Sequence, residues 1–232
     1  MLEKFSRTEL LIGKNAVEKL ANSRVAVFGV GGVGGYVVEA LARCGIENID
    51  VVDNDKVSIS NINRQIIALH STIGENKVDV IEKRILDINP KINIKKYNLF
   101  YDENTKDEID LSGYDYIIDA IDSTKSKLLL IELANKLNKK IISSMGTGNK
   151  LDPTKFEISD IYKTSVCPLA RVMRNELKKR NIKKLDVLYS KENPVKNNDN
   201  TVSSISFCPS VAGLIIASSV LSVTIPSHAS LI

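Results

Sequence analysis

The chain has 232 residues, of which 43% are hydrophobic and 26% are charged, and its net charge is +4. This composition excludes wholesale disorder, and the length favours one α/β domain with a sizeable core. Three cysteines without CxxC spacing exclude a disulfide framework and a four-thiolate zinc site. The polar N-terminus lacks the pattern of a signal peptide. We therefore expect a cytoplasmic protein.

The first strong local signal is a glycine-rich turn between a strand and a helix. A strand-forming run at 24–28 leads into the turn, an apolar helical pattern follows it, and a second strand, 49–53, ends in Asp53. The glycines of this turn are Gly29, Gly31, Gly32 and Gly34. Such a turn brings backbone N–H groups and a helix N-terminus to a phosphate, and the carboxylate after the second strand accepts hydrogen bonds from a ribose. The chain is therefore predicted to bind a nucleotide.

Alternating strand and helix patterns continue after Asp53. Helices are predicted at 76–89 and 123–137, and strands at 92–97, 114–119 and 140–145. This order predicts an α/β, Rossmann-like, doubly wound and mostly parallel sheet, with a basic helical or loop insertion and an apolar C-terminal helix. Because ligands bind beyond the carboxyl ends of parallel strands, the glycine turn, Asp53 and residues 119–122 and 145–148 are expected to border one crevice.

The polar residues after Asp53 distinguish between classes of nucleotide-binding protein. This set consists of Asp55, Asn61, Arg64, Gln65 and Lys77. A dehydrogenase needs only the ribose carboxylate here, whereas a converging arginine and lysine suit a triphosphate that is attacked at its α-phosphorus. From spacing alone, ordinary solvated charges are an equal alternative for Arg64 and Lys77.

Together these motifs resemble the nucleotide site of the ThiF/MoeB/E1-like adenylating enzymes, over nearly the whole chain. The matching motifs are Gly-x-Gly-Gly-Val-Gly at 29–34, Asp53-x-Asp55, Ser-Asn-x-x-Arg-Gln at 60–65, Lys77 and Asp-Ala-Ile-Asp at 119–122. The resemblance implies ATP and Mg²⁺ as cofactors, with Arg64, Lys77 and Asp122 around the phosphates and Asp122 as the metal ligand. It also implies a homodimer in which Arg7 reaches the phosphate site of the partner subunit. The alternatives are a helix-capping role for Asp122 and a solvated arm for Arg7.

A second set of motifs narrows the resemblance to one branch of this superfamily. Segments 144–153 and 160–171 are most similar to the tRNA threonylcarbamoyladenosine dehydratases. This similarity implies ATP-dependent dehydration, by cyclisation, of N6-threonylcarbamoyladenosine in tRNA through carboxylate adenylation, with release of AMP and pyrophosphate. It also implies tRNA and sulfur-relay proteins as partners. The nearest alternative is adenylation of the C-terminal glycine of a small ubiquitin-like sulfur carrier. An NAD-dependent oxidoreductase and a non-catalytic nucleotide-binding module are further alternatives.

Basic charge is concentrated in the second half of the chain. The segment 171–196 has nine Lys or Arg residues and three Asp or Glu residues, a local charge of +6, so the other residues sum to −2. On a helix beginning near Pro168, Arg171, Arg174 and Lys178 share one face, which suits contact with phosphates. With the family resemblance we interpret this stripe as part of a tRNA-binding surface. A solvated helix face is the alternative.

The C-terminal segment of the chain is long and uncharged. Residues 205–232 contain no Asp, Glu, Lys or Arg, and we expect a helix packed against the sheet or the dimer partner. Peripheral membrane association through this segment is the alternative. Cys167 is the one cysteine near the expected crevice.

The chain is predicted to be a single E1-like domain (1–232) with an N-terminal arm or helix (1–23), a nucleotide-binding core (24–150) and a substrate-side and dimer-side segment (151–232).

Overall fold

The computed structural model describes residues 3–196 and 202–224, which form a seven-stranded sheet flanked by helices. The strands are β1 (Arg24–Phe28), β2 (Asn48–Val52), β3 (Asn93–Tyr97), β4 (Tyr116–Asp119), β5 (Lys140–Ser144), β6 (Phe156–Asp160) and β7 (Asp186–Ser190). The helices are α1 (Ser6–Ile12), α2 (Lys14–Asn22), α3 (Gly34–Arg43), α4 (Lys77–Ile88), α5 (Thr124–Lys136), α6 (Pro168–Lys179) and α7 (Phe207–Thr224). The strand order is β3-β2-β1-β4-β5-β7-β6, and every pairing is parallel except that between β6 and β7.

The predicted α/β, Rossmann-like architecture is confirmed, with small shifts at the ends of elements. The strand predicted at 114–119 begins at Tyr116, and the helix predicted at 123–137 begins at Thr124. The basic segment 171–196 contains most of α6 and also β7, and β6 precedes it; the sequence pattern indicated neither strand. Because β7 pairs with β5, this insertion is an integral part of the sheet. Residues 225–232 of the predicted apolar segment lie outside the described residues.

Burial on both faces explains the parallel centre of the sheet. Val25 and Val27 of β1 and Ile117 and Ile118 of β4 have no exposed surface. Strands covered on both faces carry near-continuous apolar runs, and each such buried side chain contributes roughly 1.5–3 kcal/mol. The edge strand β3 instead reads Asn-Ile-Lys-Lys-Tyr and has mostly exposed side chains. Lysines on an edge strand oppose pairing with another chain.

Helix α7 packs into the main hydrophobic core. Its residues Cys208 and Ile216 belong to the same buried cluster as Leu41 of α3. Gly213 permits the close approach of the two helices, because a Cβ atom at this position would lie 2.5 Å from the carbonyl oxygen of Val33. Among the described helices, none combines the length and the apolar character needed to cross a membrane. The same cluster contains Val27 of β1 and Leu188 of β7, so the described part of α7 belongs to the core on one face of the sheet.

Candidate active site

A cavity of about 720 Å³ opens at the carboxyl edge of the parallel strands. Residues that follow four neighbouring strands border it: Gly29 after β1, Asp53 after β2, Ile121 after β4 and Met145 after β5. Parallel strands present all their carboxyl ends at one edge, which is where open α/β sheets bind ligands. The structure therefore brings the predicted strand ends together around one space.

The glycine turn is compact because side chains at two of its positions would collide with backbone. Gly29 has a φ of +91°, and a Cβ atom on it would lie 2.6 Å from a backbone oxygen of the loop after β4. A Cβ atom on Gly34 would lie 1.8 Å from the carbonyl oxygen of Gly29, so α3 begins in direct contact with the turn. Gly29, Gly31 and Gly32 border the cavity, whereas Gly34 acts through packing. The N-terminus of α3 and the turn together favour an anion.

Asp53 and Asp55 have different environments beside the turn. The Asp53 carboxylate accepts hydrogen bonds from the backbone N–H groups of Val30 (2.7 Å) and Asp55 (2.8 Å). Burial raises the pKa of Asp53, while the charge of Lys77 and these two hydrogen bonds oppose the rise. The Asp55 side chain is 62% exposed and lies 2.7 Å from Lys77 Nζ. Asp53 therefore joins the ends of β1 and β2 and keeps acceptor capacity for a ribose hydroxyl.

The other predicted nucleotide contacts border the same space. Lys77 is the first residue of α4, and its side chain is 6% exposed. Gln65 is buried, and its Oε1 atom has no hydrogen-bond partner among the described residues. The Arg64 guanidinium donates two hydrogen bonds of 2.9 Å within its own loop, and the Asn61 side-chain oxygen accepts one of 3.1 Å. These two loop side chains are therefore held in place by local backbone and side-chain contacts.

Asp122 borders the cavity, but the capping role that we considered for it is wrong. The N-cap of α5 is Ser123, whose hydroxyl accepts a hydrogen bond from the Ser126 N–H at 3.4 Å. The hydroxyl takes this role because it stands immediately before the first helical residue. Within 3–196 and 202–224, no cluster of three or more His, Cys, Asp or Glu side chains forms a metal site. Asp122 is thus an exposed single carboxylate near the glycine turn.

A buried ion pair in the cavity wall was missed from the sequence, and its lysine, Lys127, borders the cavity. Lys127 Nζ lies 3.1 Å from Asp119 Oδ2 and donates a hydrogen bond of 2.7 Å to the Ser144 carbonyl oxygen. Asp119 also accepts a hydrogen bond of 2.5 Å from the Ser143 hydroxyl. These contacts join α5 to the ends of β4 and β5. The sequence contained an indication of this pair, because Lys127 lies on the apolar face of the α5 pattern. A buried lysine is rare unless it is paired with a carboxylate.

The far wall of the cavity comes largely from the second half of the chain. It consists of residues 144–148, Leu169, Val202, Ser204 and Pro209. Asn149 holds this wall together, because its Oδ1 atom accepts hydrogen bonds from the N–H and the hydroxyl of Ser203, both at 2.7 Å. The residues predicted to bind nucleotide and those predicted to lie on the substrate side therefore share one cavity.

The structure separates the three residues of the predicted basic stripe on α6. Arg171 and Lys178 are exposed, and Lys178 Nζ lies 5.9 Å from the ring centre of Tyr162. Arg174 instead donates hydrogen bonds to the Thr164 carbonyl oxygen at 3.1 Å and to the Thr164 hydroxyl. Arg174 therefore holds the loop before α6, while Arg171 and Lys178 face solvent.

Two other predicted residues lie away from the cavity lining. Arg7 is exposed on α1 and does not border the cavity of its own chain. The same helix exposes Leu10 and Leu11, at 83% and 73% of their surface. Cys167 is 3% exposed and packs in the cluster beneath α6. Its burial gives this thiol a packing role.

Comparison with known proteins agrees with this arrangement. The ThiF family model matches residues 5–228. The chain is similar to a Bacillus subtilis protein named tRNA threonylcarbamoyladenosine dehydratase, with 46% identity over 239 residues that cover 95% of this chain and 94% of the relative.

The fold is also similar to solved structures of the E. coli tRNA N6-threonylcarbamoyladenosine dehydratase TcdA. The complex with AMP matches with a TM-score of 0.91 and 31% identity, covering 96% of this chain and 94% of that chain. The complex with ATP matches with a TM-score of 0.90 and 32% identity, covering 96% of this chain and 93% of that chain. The chain belongs to the ThiF family.

Proposed function

We propose that this chain is an ATP-dependent tRNA threonylcarbamoyladenosine dehydratase that acts through an acyl-adenylate. The observation that best supports the proposal is a single cavity that joins the glycine turn and Lys77 on one side to residues 144–148 on the other. One side suits a nucleotide, and the other leaves room for an acceptor beside the phosphates. The names of the relatives suggest the chemical class of that acceptor.

The donor set of the first side fits ATP. The glycine turn offers backbone N–H groups to the phosphates. The buried Oε1 atom of Gln65 accepts no hydrogen bond from the described residues, so a hydrogen-bond donor of a bound ligand could satisfy it. Asp53 binds the ribose, while Asp55 and Asn61 complete the loop around it. Arg64 and Lys77 stabilise the negative charge that develops when the α-phosphorus is attacked. Burial of Lys77 strengthens its attraction for a phosphate.

Asp122 is the residue that would hold Mg²⁺. In nucleotide sites this ion is bound by one or two carboxylates together with phosphate oxygens and water, and a single exposed carboxylate fits that donor set. When bound, the ion supplies neutralising charge to the phosphates. The neighbouring Asp119 does not have this role, because it is paired with Lys127 and has no exposed surface.

The proposed reaction has two displacement steps. A carboxylate oxygen of the threonylcarbamoyl group bonds to the α-phosphorus of ATP, and the bond to the β-phosphate oxygen breaks, which releases pyrophosphate. The carbamoyl group then bonds to the activated acyl carbon and loses a proton. The bond from that carbon to the adenylate oxygen breaks, so AMP leaves with the former carboxylate oxygen. The modified base has lost one water and gained a ring.

The basic stripe on α6 would position the tRNA. Glu176 pairs with basic residues at the C-terminal end of this helix, whereas Arg171 and Lys178 form no ion pair in the part of the chain that the structure describes. The stripe starts close to the cavity, since Leu169 borders it. Arg174 supports the surface indirectly by holding the loop before α6. Phosphate contacts would position the tRNA, and the modified base in the cavity would supply specificity.

The active unit that we propose is a homodimer with composite sites. Arg7 would reach the phosphate site of the partner subunit, and exposed Leu10 and Leu11 on the same helix would be covered there. In this arrangement 1–23 is the arm, 24–150 holds the nucleotide, and 151–232 holds the acceptor and part of the dimer contact. A tRNA substrate implies a cytoplasmic protein. Sulfur-relay proteins are proposed as further partners from the family resemblance.

Mass spectrometry of nucleosides tests the reaction directly. Transfer RNA carrying threonylcarbamoyladenosine is incubated with the protein, ATP and Mg²⁺, and we expect the modified nucleoside to lose one water mass only when ATP is present. AMP and pyrophosphate should form in equal amounts. Lys77→Ala is expected to abolish the conversion. Lys83→Ala, a change at a 70% exposed lysine of the same helix outside this cavity, should retain it.

Two other results would contradict the proposal. Unchanged tRNA, together with pyrophosphate release on addition of a small protein with a C-terminal glycine, would move the acceptor to a sulfur carrier. Bound ATP without any formation of AMP or pyrophosphate would contradict adenylation and favour a non-catalytic module.

A further inference from the structure

Residues 202–204, the strap, form part of the far wall of the cavity. Val202 and Ser204 border the cavity, whereas Ser203 between them is exposed and does not border it. The strap is therefore a wall one chain thick, with the cavity on one side and solvent on the other. The Val202 side chain lies directly against Gly148, because a Cβ atom on that glycine would be 2.4 Å from Val202 Cγ1.

The strap is fastened to the far side of the cavity by Asn149. The backbone N–H of Asn149 donates a hydrogen bond of 2.8 Å to the Ser203 carbonyl oxygen. The side-chain oxygen of Asn149 accepts hydrogen bonds from the N–H and the hydroxyl of Ser203, both at 2.7 Å. Asn149 has a φ of +56°, a left-handed conformation that asparagine adopts more readily than most residues. Three hydrogen bonds to one residue thus hold the strap at this side.

Asn63 joins the strap to the loop that holds Arg64. Its Nδ2 atom donates a hydrogen bond of 3.0 Å to the Ser204 carbonyl oxygen, and its Oδ1 atom accepts one of 2.9 Å from the Arg64 guanidinium. Only this orientation of the amide satisfies both contacts, because a guanidinium can only donate and a carbonyl oxygen can only accept. One side chain therefore connects a residue expected to bind the phosphates with the wall beside the acceptor.

The proposed acyl-adenylate has two possible fates. Ring closure forms a bond from the carbamoyl group to the acyl carbon. Hydrolysis instead bonds a water oxygen to that carbon, breaks its bond to the adenylate oxygen, releases AMP and a proton, and restores the original carboxylate. Hydrolysis consumes ATP without modifying the base. A wall that excludes water and holds the two sides of the cavity together favours ring closure.

We propose that Asn63 is a positioning residue that keeps the strap across the cavity and so couples AMP release to ring closure. The inference rests on the proposed function, because it concerns the fate of the acyl-adenylate. Asn63 itself does not border the cavity and acts through the Ser204 carbonyl group. Its effect is therefore on how the intermediate divides between the two fates.

Asn63→Asp tests this role, because it keeps an oxygen for Arg64 and removes the amide donor to Ser204. The measured quantity is the ratio of hydrolysed to cyclised intermediate, which is the excess of AMP over dehydrated nucleoside divided by the dehydrated nucleoside. We expect this ratio to rise by a factor of about two to ten, the effect of one lost hydrogen bond. In water enriched in the heavy oxygen isotope, the label should enter the carboxylate of threonylcarbamoyladenosine and not AMP.

A second variant and a matched control accompany it. Asn149→Gly releases the other anchor but retains access to the left-handed conformation, so it should raise the same ratio. Asn48→Asp is the control, because Asn48 Nδ2 also donates to a backbone carbonyl oxygen, that of Ala21 at 3.1 Å, and lies outside the cavity lining. It should leave the ratio unchanged. Dehydrated tRNA incubated with each protein without ATP should reopen its ring at one common rate.

An unchanged ratio in Asn63→Asp would overturn the inference, even if the overall rate fell, because Asn63 would then only shape the nucleotide loop. A rise in Asn63→Asp but not in Asn149→Gly would place the effect at Arg64 and also overturn it. Heavy oxygen in AMP, or faster ring reopening that accounts for the excess AMP, would do the same. A wild-type chain that forms neither AMP nor dehydrated nucleoside would instead contradict the proposed function itself.

Discussion

At the scale of single residues, buried lysines take different roles according to their partners. Lys77 and Lys127 are 5% and 1% exposed. The partner of Lys127 is Asp119, a carboxylate with no exposed surface, and the two charges neutralise each other inside the protein. The partner of Lys77 is Asp55, whose side chain is 62% exposed and already solvated. The Lys77 ammonium group can therefore exchange this partner for a phosphate, whereas that of Lys127 cannot.

This difference predicts opposite effects of the same substitution. Lys127→Met should lower the free energy of unfolding by about 3–5 kcal/mol, because Asp119 loses its cation in a buried site. Lys77→Met should lower it by less than ~1 kcal/mol but abolish ATP-dependent pyrophosphate release, because Asp55 remains hydrated. Urea denaturation and a pyrophosphate assay measure the two quantities. Equal destabilisation of both variants would contradict the distinction.

At the scale of elements, one carboxylate joins α3 and α4, the two helices that begin beside the cavity. Glu39 of α3 accepts hydrogen bonds of 2.7 Å from Arg84 of α4 and from Arg43 of its own helix. Burial acts to raise the pKa of Glu39, but the hydrogen bonds and charges of the two arginines outweigh it and hold the pKa below the ordinary 4.5. Because α3 follows the glycine turn and α4 begins with Lys77, this contact helps set the distance between these two parts of the cavity wall.

The depressed pKa predicts a stability difference that depends on pH. Glu39→Gln should lower the free energy of unfolding by about 1–3 kcal/mol at neutral pH, because charge-assisted hydrogen bonds are lost. This contribution is fully present above pH 4.5 and declines as pH falls through the lower folded-state pKa. Urea denaturation at several pH values should therefore show wild type and variant converging in acid. Glu18→Gln, at a largely exposed pair with Lys14, is the control and should cost less than ~1 kcal/mol.

At the scale of the whole molecule, Arg7 in the N-terminal arm lies outside the cavity lining of its own chain. Phe5 is 5% exposed and anchors the arm near the end of α3, while Arg7 and the apolar side chains of α1 point outward. A two-fold dimer repeats every such contact, so an arm that completes one site also completes the other. In such a dimer, one subunit with an altered arm and one with an altered nucleotide site would together form one intact site.

Subunit mixing tests this composite site. Arg7→Ala and Lys77→Ala homodimers are each expected to be inactive in dehydration. After subunit exchange at equal amounts, half of the dimers are mixed and each mixed dimer has one intact site, so about one quarter of wild-type activity should return. Native mass spectrometry verifies that mixed dimers form. Mixed dimers without any recovered activity would show that Arg7 does not act across the interface.

Much of the nucleotide side was predictable because its signals are local. The glycine turn, Asp53 and Lys77 each follow or begin an element whose periodicity is visible in the sequence, and parallel strands bring such positions to one edge. The capping residue was misassigned because Asp122 and Ser123 are adjacent and both residue types cap helices. Strand β7 escaped prediction because it lies in the lysine-rich segment that was interpreted as a helix or loop, and β6 because its side chains are only partly buried and form no clear apolar run.

The sequence by itself determined the order of strands and helices from β1 to β5, the phosphate turn and the family, since these depend on residue type and short spacing. Only the tertiary structure decided what each polar side chain contacts. It paired Lys127 with Asp119, turned Arg174 inward while Arg171 and Lys178 stayed exposed, and left the hydroxyl of Tyr101 without a partner. The physical reason is that burial and hydrogen bonding are properties of the packed neighbourhood, which segments far apart in the chain create together.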